Sequence, residues 1–493
     1  MFDIPRPTPA SKPSNRPSAE LIAVGTLGCL VAVLLGAASA AHDGATIIGA
    51  IGALSLCAAA TTLYSRDPVL AFIWLWLFEI FNSPLSAIPG YFSPTGEAIR
   101  QADELLVVLF VCLTLWRTAR SDARLPPLWA ILPGVGVALF GLLGAAIHGV
   151  PLKVTVVGGW LGLKLWTMLV IALLLPWKRS DVERVYSAFT KIGLFVAAFG
   201  LADYLSHDAI STALHISIYA FQAGSLRGEA AHSIFPHPNE LSLFMSLLFA
   251  LTFVRFASTK SKSALILALC FAGSVLLSAR LKGFLSLSAV VTIVAIVQVM
   301  ATQRNGALIL LVGVLLLGGI YSVEGTVITE QISLYTSSET TARAKLYTTS
   351  TQIARDDFPL GAGFGRFATY ASHLYYSPVY QQYGLNNVYG LSRKYPDFID
   401  DTSWPGVIGE TGYGGFAIFV VGLACLVLVL ARRMLTATPD LRWMPLAALC
   451  AIAVLLVDSL GDATLFDWLA LTSFALIVGP ALGATRSAPG AYP

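Results

Sequence analysis

The feature that most constrains this chain is the recurrence of apolar stretches about twenty residues long, separated by short polar turns. A helix of that length rises about 30 Å, the thickness of bilayer hydrocarbon. Inside a bilayer only helices or closed barrels satisfy every backbone polar group. Fourteen spans are expected, at 20–41, 45–64, 68–82, 103–119, 128–147, 154–176, 184–206, 238–256, 263–279, 282–301, 306–323, 404–431, 443–460 and 463–483. Charged residues are 12% of the 493 and hydrophobic ones 56%, whereas about a quarter of a soluble domain is charged. The fold class is therefore all-α, a polytopic membrane protein. The third stretch is short and is expected to tilt or re-enter. The seventh carries Lys191 and Asp203 and is expected to face the bundle interior.

Cation-rich turns set the orientation. Arg6, Lys12 and Arg16, then Arg117, Arg120 and Arg124, then Lys178, Arg179 and Arg184, then Lys260 and Lys262, then Arg432, Arg433 and Arg442 all fall on one side of the count. That side is expected to be the cytoplasm, with both termini there. The organisation read from this is a Pro/Ser-rich tail at 1–19, a bundle of about eleven spans over 20–323, a large outer loop at 324–403, C-terminal spans over 404–483 and a tail at 484–493. Nine of the seventeen tyrosines lie in the large loop, and 339-ETTARAKLYTTSTQIARDDF-358 is helix-like. The loop is expected to be an ordered cap, its tyrosines either an interfacial belt or stacking platforms for sugars.

Composition also excludes. A net charge of +3 without a basic, aromatic-laced patch argues against a nucleic-acid partner. All six cysteines lie inside apolar runs, which implies no disulfide framework. His232, His237 and His373 lack metal-ligand spacing, so neither metal nor cofactor is expected. The run 359-PLGAGFGRF-367 lacks the Lys-Ser/Thr of a nucleotide loop and follows no strand. It reads better as a tight turn bringing backbone close to a neighbour.

The stretch 276-LLSARLKGFLSL-287 holds Arg280 and Lys282 in a turn on the outward side, against the usual bias. Arg227, Arg343 and Arg366 fall on that side too. Snorkelling explains such arginines singly. Together they point to an anion, and the planar guanidinium fork suits phosphate oxygens. Candidate acids follow in 396-PDFIDDTSWPGVIGETGYGG-415. Asp401 is either a helix N-cap or a base, Asp400 stands beside it, and Glu410 lies inside a span, where a carboxyl is costly. In 234-IFPHPNEL-241, His237 and Asn239 open a span, Asn239 being a candidate cap and Pro238 well placed at a helix start.

Four patches resemble the bacterial O-antigen ligase and polysaccharide polymerase superfamily. They are Arg227 followed by 235-FPHPNELSLF-244, then 278-SARLKG-283, then 342-ARAKLYTTSTQIARDDFPLGAGFGRF-367, then 408-IGETGYGGF-416. The resemblance covers most of the chain in layout and implies a GT-C-like bundle with a periplasmic loop. It implies a metal-independent glycosyltransferase at the outer face of the inner membrane. Its donor would be a polyprenyl-diphosphate-linked oligosaccharide and its acceptor a growing polysaccharide, among membrane lipids and with a chain-length regulator as a further partner. Carried over by residue match, Arg280 and Arg343 would hold the diphosphate. Ligases of the superfamily carry a His-Asn pair where this chain has Asp400-Asp401-Thr402-Ser403, which favours a polymerase. The expected mechanism is a single inverting displacement. Arg280, Arg343, Lys282 and Arg366 would steady the leaving diphosphate, with Asp401, then Asp400 or Glu410, as base. A ligase and a lipid-linked-oligosaccharide flippase are the alternatives.

Overall fold

The computed structural model describes residues 44–87, 94–121, 125–206, 220–223, 226–302 and 341–484. The tail 1–19, the spans expected at 20–41 and 306–323, the first part of the large loop and residues 485–493 lie outside them. The described chain is helical apart from one β-hairpin. Its helices are α1 (Gly44–Arg66), α2 (Pro68–Ala87), α3 (Pro94–Arg120), α4 (Leu128–Ile147), α5 (Leu152–Leu174) and α6 (Arg179–Ser206). The hairpin, β1 (Ala220–Ala223) and β2 (Leu226–Glu229), pairs Gln222 with Arg227 in antiparallel register. Then come α7 (Pro238–Thr259), α8 (Lys262–Leu277), α9 (Leu281–Thr302), α10 (Ala342–Asp356), α11 (Tyr370–Leu374), α12 (Val379–Gln382), α13 (Trp404–Thr436), α14 (Trp443–Asp458) and α15 (Trp468–Gly483).

Seven of these helices are long and apolar enough to cross a membrane: α2, α4, α5, α6, α7, α9 and α13. Helices α8, α14 and α15 are apolar but shorter. The protein is thus a polytopic membrane protein. Helix α2 runs twenty residues through Pro84, longer than the short third stretch expected. Helix α3 begins nine residues before its apolar run, because 94–102 continues the helix in polar sequence. On α6, Asp203 is buried but Lys191 is exposed. Twelve residues at about 100° each put them about 120° apart, so one helix face cannot bury both.

Ion pairs gather the turns into two faces. Arg184, opening α6, meets Asp67 between α1 and α2 at 2.7 Å. Arg179 pairs with Asp440 between α13 and α14, and Arg255 of α7 reaches Glu183 at 2.9 Å. This is one end of the bundle. At the other end α10 to α12 and the chain to Ser403 form a cap with its own small core, including Leu346, Ile353, Phe367, Tyr380, Leu391 and Ile399. Inside the bundle Trp76 packs on Phe189, ring centroids 4.4 Å apart, and its Nε1 donates to Ser473 Oγ at 2.8 Å.

The glycine run fastens cap to bundle. Phe364 is buried between α4 and α5, and a Cβ on Gly141 would stand 2.4 Å from its ring. A Cβ on Gly158 would lie 2.1 Å from the Gly365 nitrogen, so α4 and α5 present bare backbone where the run descends. The N–H groups of Ala362, Gly363 and Phe364 donate to Gly409 O at 2.8 Å, Glu410 O at 3.0 Å and Gly141 O at 3.2 Å. The run is the close-contact turn expected from its sequence. Its donors are used by neighbouring helices rather than offered to a phosphate. Replacing Phe364 by alanine is expected to lower stability by about 3–5 kcal/mol, the range for emptying a buried aromatic site. Thermal unfolding in detergent checks this; an unchanged midpoint would show that the ring does not anchor the cap.

Candidate functional site

The cap side of the bundle brings together residues far apart in sequence. The turn between α8 and α9 is short because Ala279 takes a left-handed conformation, φ 50°, and Arg280 O accepts the Gly283 N–H at 2.9 Å to open α9. Lys282, in the first turn of α9, donates to Asp462 Oδ2 at 2.9 Å and lies 3.1 Å from Asp458 Oδ1. Asn239 of α7 also donates to Asp462 Oδ2, at 2.9 Å. Arg343, in the first turn of α10, grips Asp401 from Nε at 2.6 Å and again through Nη2. The link between α14 and α15 is the floor: Ser403 Oγ donates to Asp462 O at 2.7 Å and Tyr347 OH to Leu460 O at 2.8 Å.

His237 sits where these charges meet, and the fields of Arg280, Lys282, Arg343 and Asp462 all act on it. Burial and then the Arg280 charge push its imidazole down to about 4, so it is neutral at physiological pH. It is also the N-cap of α7, its Nδ1 accepting the Asn239 N–H at 3.1 Å. That bond makes Nε2 the protonated nitrogen, hence a donor. The cap of this helix is therefore His237 rather than Asn239, while Pro238 takes the expected first position. Upstream, Asp203 accepts the His232 and Ser233 N–H groups at 2.9 and 3.1 Å, holding the chain that leads into His237.

Asp401 does not cap α13. Ser403 holds that position, and Asp401 is engaged by Arg343 instead. Burial raises its carboxyl to about 6, outweighing the opposing pull of the Arg343 guanidinium. Burial likewise disfavours charge on Asp462, but the Lys282 ammonium and the Ala463 N–H outweigh it and hold that carboxyl below its usual range. The cluster thus has three cations, a neutral imidazole donor and carboxylates paired to cations.

Other expected site residues lie elsewhere. Asp400 turns away from Asp401, its Oδ1 3.1 Å from His373 Nδ1. That hydrogen bond raises the His373 pKa above the ordinary value despite partial burial. Glu410 is buried beneath the glycine run, where Oε1 accepts the Phe367 N–H at 3.1 Å and the Thr369 hydroxyl at 2.7 Å. Its oxygen is occupied by the loop, so its place is to hold the cap. Arg366 is half-buried beside Asp357 and Tyr383, apart from the Arg280–Lys282–Arg343 group. Arg227 lies in β2, and its side chain is outside the described residues.

Asp458, Asp462 and Asp467 were not among the expected site residues. Their signal was present in 457-VDSLGDATLFDW-468, three acids in a link between two apolar helices, where ionisable residues are expensive and usually functional. Comparison with family models, curated proteins and solved structures finds no match for this chain, so the chemistry of the cluster rests on its own side chains.

Proposed function

We propose that the protein is a polysaccharide polymerase, a glycosyltransferase that moves an oligosaccharide from a polyprenyl diphosphate onto a growing glycan. In this reading it lies in the bacterial inner membrane with fourteen spans and both termini in the cytoplasm, and the cap and its pocket face the periplasm. The observation that carries the proposal is the meeting of Arg280, Lys282 and Arg343 around His237. A lipid diphosphate carries two or more negative charges at the membrane surface, and glycosyl transfer adds charge as the anomeric C–O bond breaks. Guanidinium groups and an Nε2–H donor facing that point stabilise the charge as it develops.

The pairing of Arg343 with Asp401 fits a binding-linked exchange. Entry of the diphosphate draws Arg343 onto phosphate oxygens and releases Asp401. The freed carboxylate accepts the acceptor hydroxyl proton while that oxygen bonds to the anomeric carbon, and the diphosphate leaves with the electron pair of the broken bond. One displacement inverts the anomeric centre. Lys282 offsets the charge of Asp458 and Asp462, so the floor repels the lipid head group less.

The decisive experiment incubates purified protein in nanodiscs with a lipid-linked repeat unit alone. Laddered products are expected. No product without a second glycan acceptor would make it a ligase, and no chemistry at all would end the glycosyltransferase reading. Turnover should also depend on pH through Asp401. The base must be ionised, and in the free protein its pKa is raised to about 6, so kcat/KM is expected to fall as pH drops through about 6 and to level off above it. Asp401→Asn should leave a low, flat profile with donor binding intact. An unchanged acid limb in that variant would remove Asp401 from the role.

A further inference from the structure

A second polar cluster lies inside the bundle, beside the cap-side charge cluster. Glu79 of α2, Asp103 and Glu104 of α3, and Asp467 at the head of α15 surround Lys164 of α5, and each of the other four acts electrostatically on Glu79. Counted from the helix ends opposite the cap, these residues stand roughly 15–25 Å along their helices, within the hydrocarbon thickness. Lys164 is the one cation among the described residues shown acting on Glu79, Asp103 and Asp467. Four carboxyls against one ammonium in low dielectric cannot all be ionised.

The hydrogen bonds indicate which of the four carries the proton. Glu104 Oε1 accepts from Lys164 Nζ at 2.7 Å, and Oε2 from Trp160 Nε1 at 2.5 Å. Asp467 caps α15, Oδ1 accepting the Ala470 N–H at 2.7 Å, where the helix N-terminus favours negative charge. Asp103 Oδ1 accepts the Glu104 N–H at 2.6 Å. Glu79 is 7% exposed, and its Oε1 has no hydrogen-bond partner. The same is true of Trp468 Nε1, on a residue 3% exposed whose ring lies 4.2 Å from Lys164 Nζ. A buried carboxylate without a donor neutralises itself by taking up a proton.

We propose that Glu79 is an intramembrane proton-binding site, holding an exchangeable proton at neutral pH inside the Asp103–Glu104–Lys164–Asp467 cluster. The ligand class is the proton, because among the described residues no three His, Cys, Asp or Glu side chains are placed to hold a metal ion. Glu104, its side chain 37% exposed, is the member of the cluster that reaches the outer surface of the bundle. Asp467 links it to the cap-side charge cluster, since Lys164, Asp458 and Asp462 all act on it. The proposal stands whatever reaction the pocket performs.

The test is infrared difference spectroscopy of the full-length protein at neutral pH, wild type against Glu79→Gln, in water and in heavy water. The expected difference is loss of one deuterium-sensitive carboxylic-acid carbonyl band. Loss of a carboxylate stretch instead would show Glu79 ionised and overturn the proposal. Glu79→Asp gives a second arm, should the first variant not fold. The same acid band is expected to shift in frequency rather than vanish, and a band left unchanged would equally overturn the proposal.

Discussion

Arg343→Ala is expected to lower polymer formation by about 10²–10³-fold, the cost of deleting one preorganised donor facing developing charge. The protein should still reach the membrane and elute normally, because the Arg343 side chain is about a third exposed, at 32%. Arg343→Lys is expected to restore little. An ammonium is a point charge and cannot reproduce the two-nitrogen grip seen on Asp401. The measurement is chain length and rate with a lipid-linked donor, beside binding of the free polyprenyl diphosphate. Donor binding should weaken in Arg343→Ala and survive in Asp401→Asn, because in the proposed mechanism one residue holds the diphosphate and the other receives a proton. Normal polymer from Arg343→Ala would end the clamp idea.

Lys282→Ala should act differently, through stability. Its ammonium is mostly buried, with 16% of the side chain exposed, and lies about 3 Å from both Asp458 and Asp462. Removing one partner of a buried ion pair leaves uncompensated charge and costs about 3–5 kcal/mol. Thermal unfolding in detergent should show a clear loss, partly recovered by adding Asp458→Asn, since the two sites share one network. If Lys282→Ala unfolds like the parent but loses activity, the lysine faces substrate rather than the floor.

The helices were legible because each apolar run is bounded by a local signal. Leu128–Ile147 lies at its expected bounds, and Pro238 opens α7 as its sequence suggests. The close-contact role of the glycine run was also legible, since only bare backbone tolerates such approach at Gly158 and Gly365. Side-chain partners were less so. Asp401 and Asn239 both had capping as a reasonable local alternative, yet α13 starts at Ser403 and α7 is capped by His237. A cap depends on three or four neighbouring residues, whereas the partners these two took, Arg343 and Asp462, lie 58 and 223 positions away.

A polytopic membrane protein and the seven described helices long enough to span could be read from residue order, because burying apolar length in a bilayer depends on runs of about twenty neighbours. Which charges meet could not. Asp400 and Asp401 are adjacent in the chain but face His373 and Arg343 respectively, and Glu79, Glu104 and Lys164 converge from three helices. Such encounters depend on how helices pack and rotate against one another. That is set by the whole core at once, so only the folded chain reveals it.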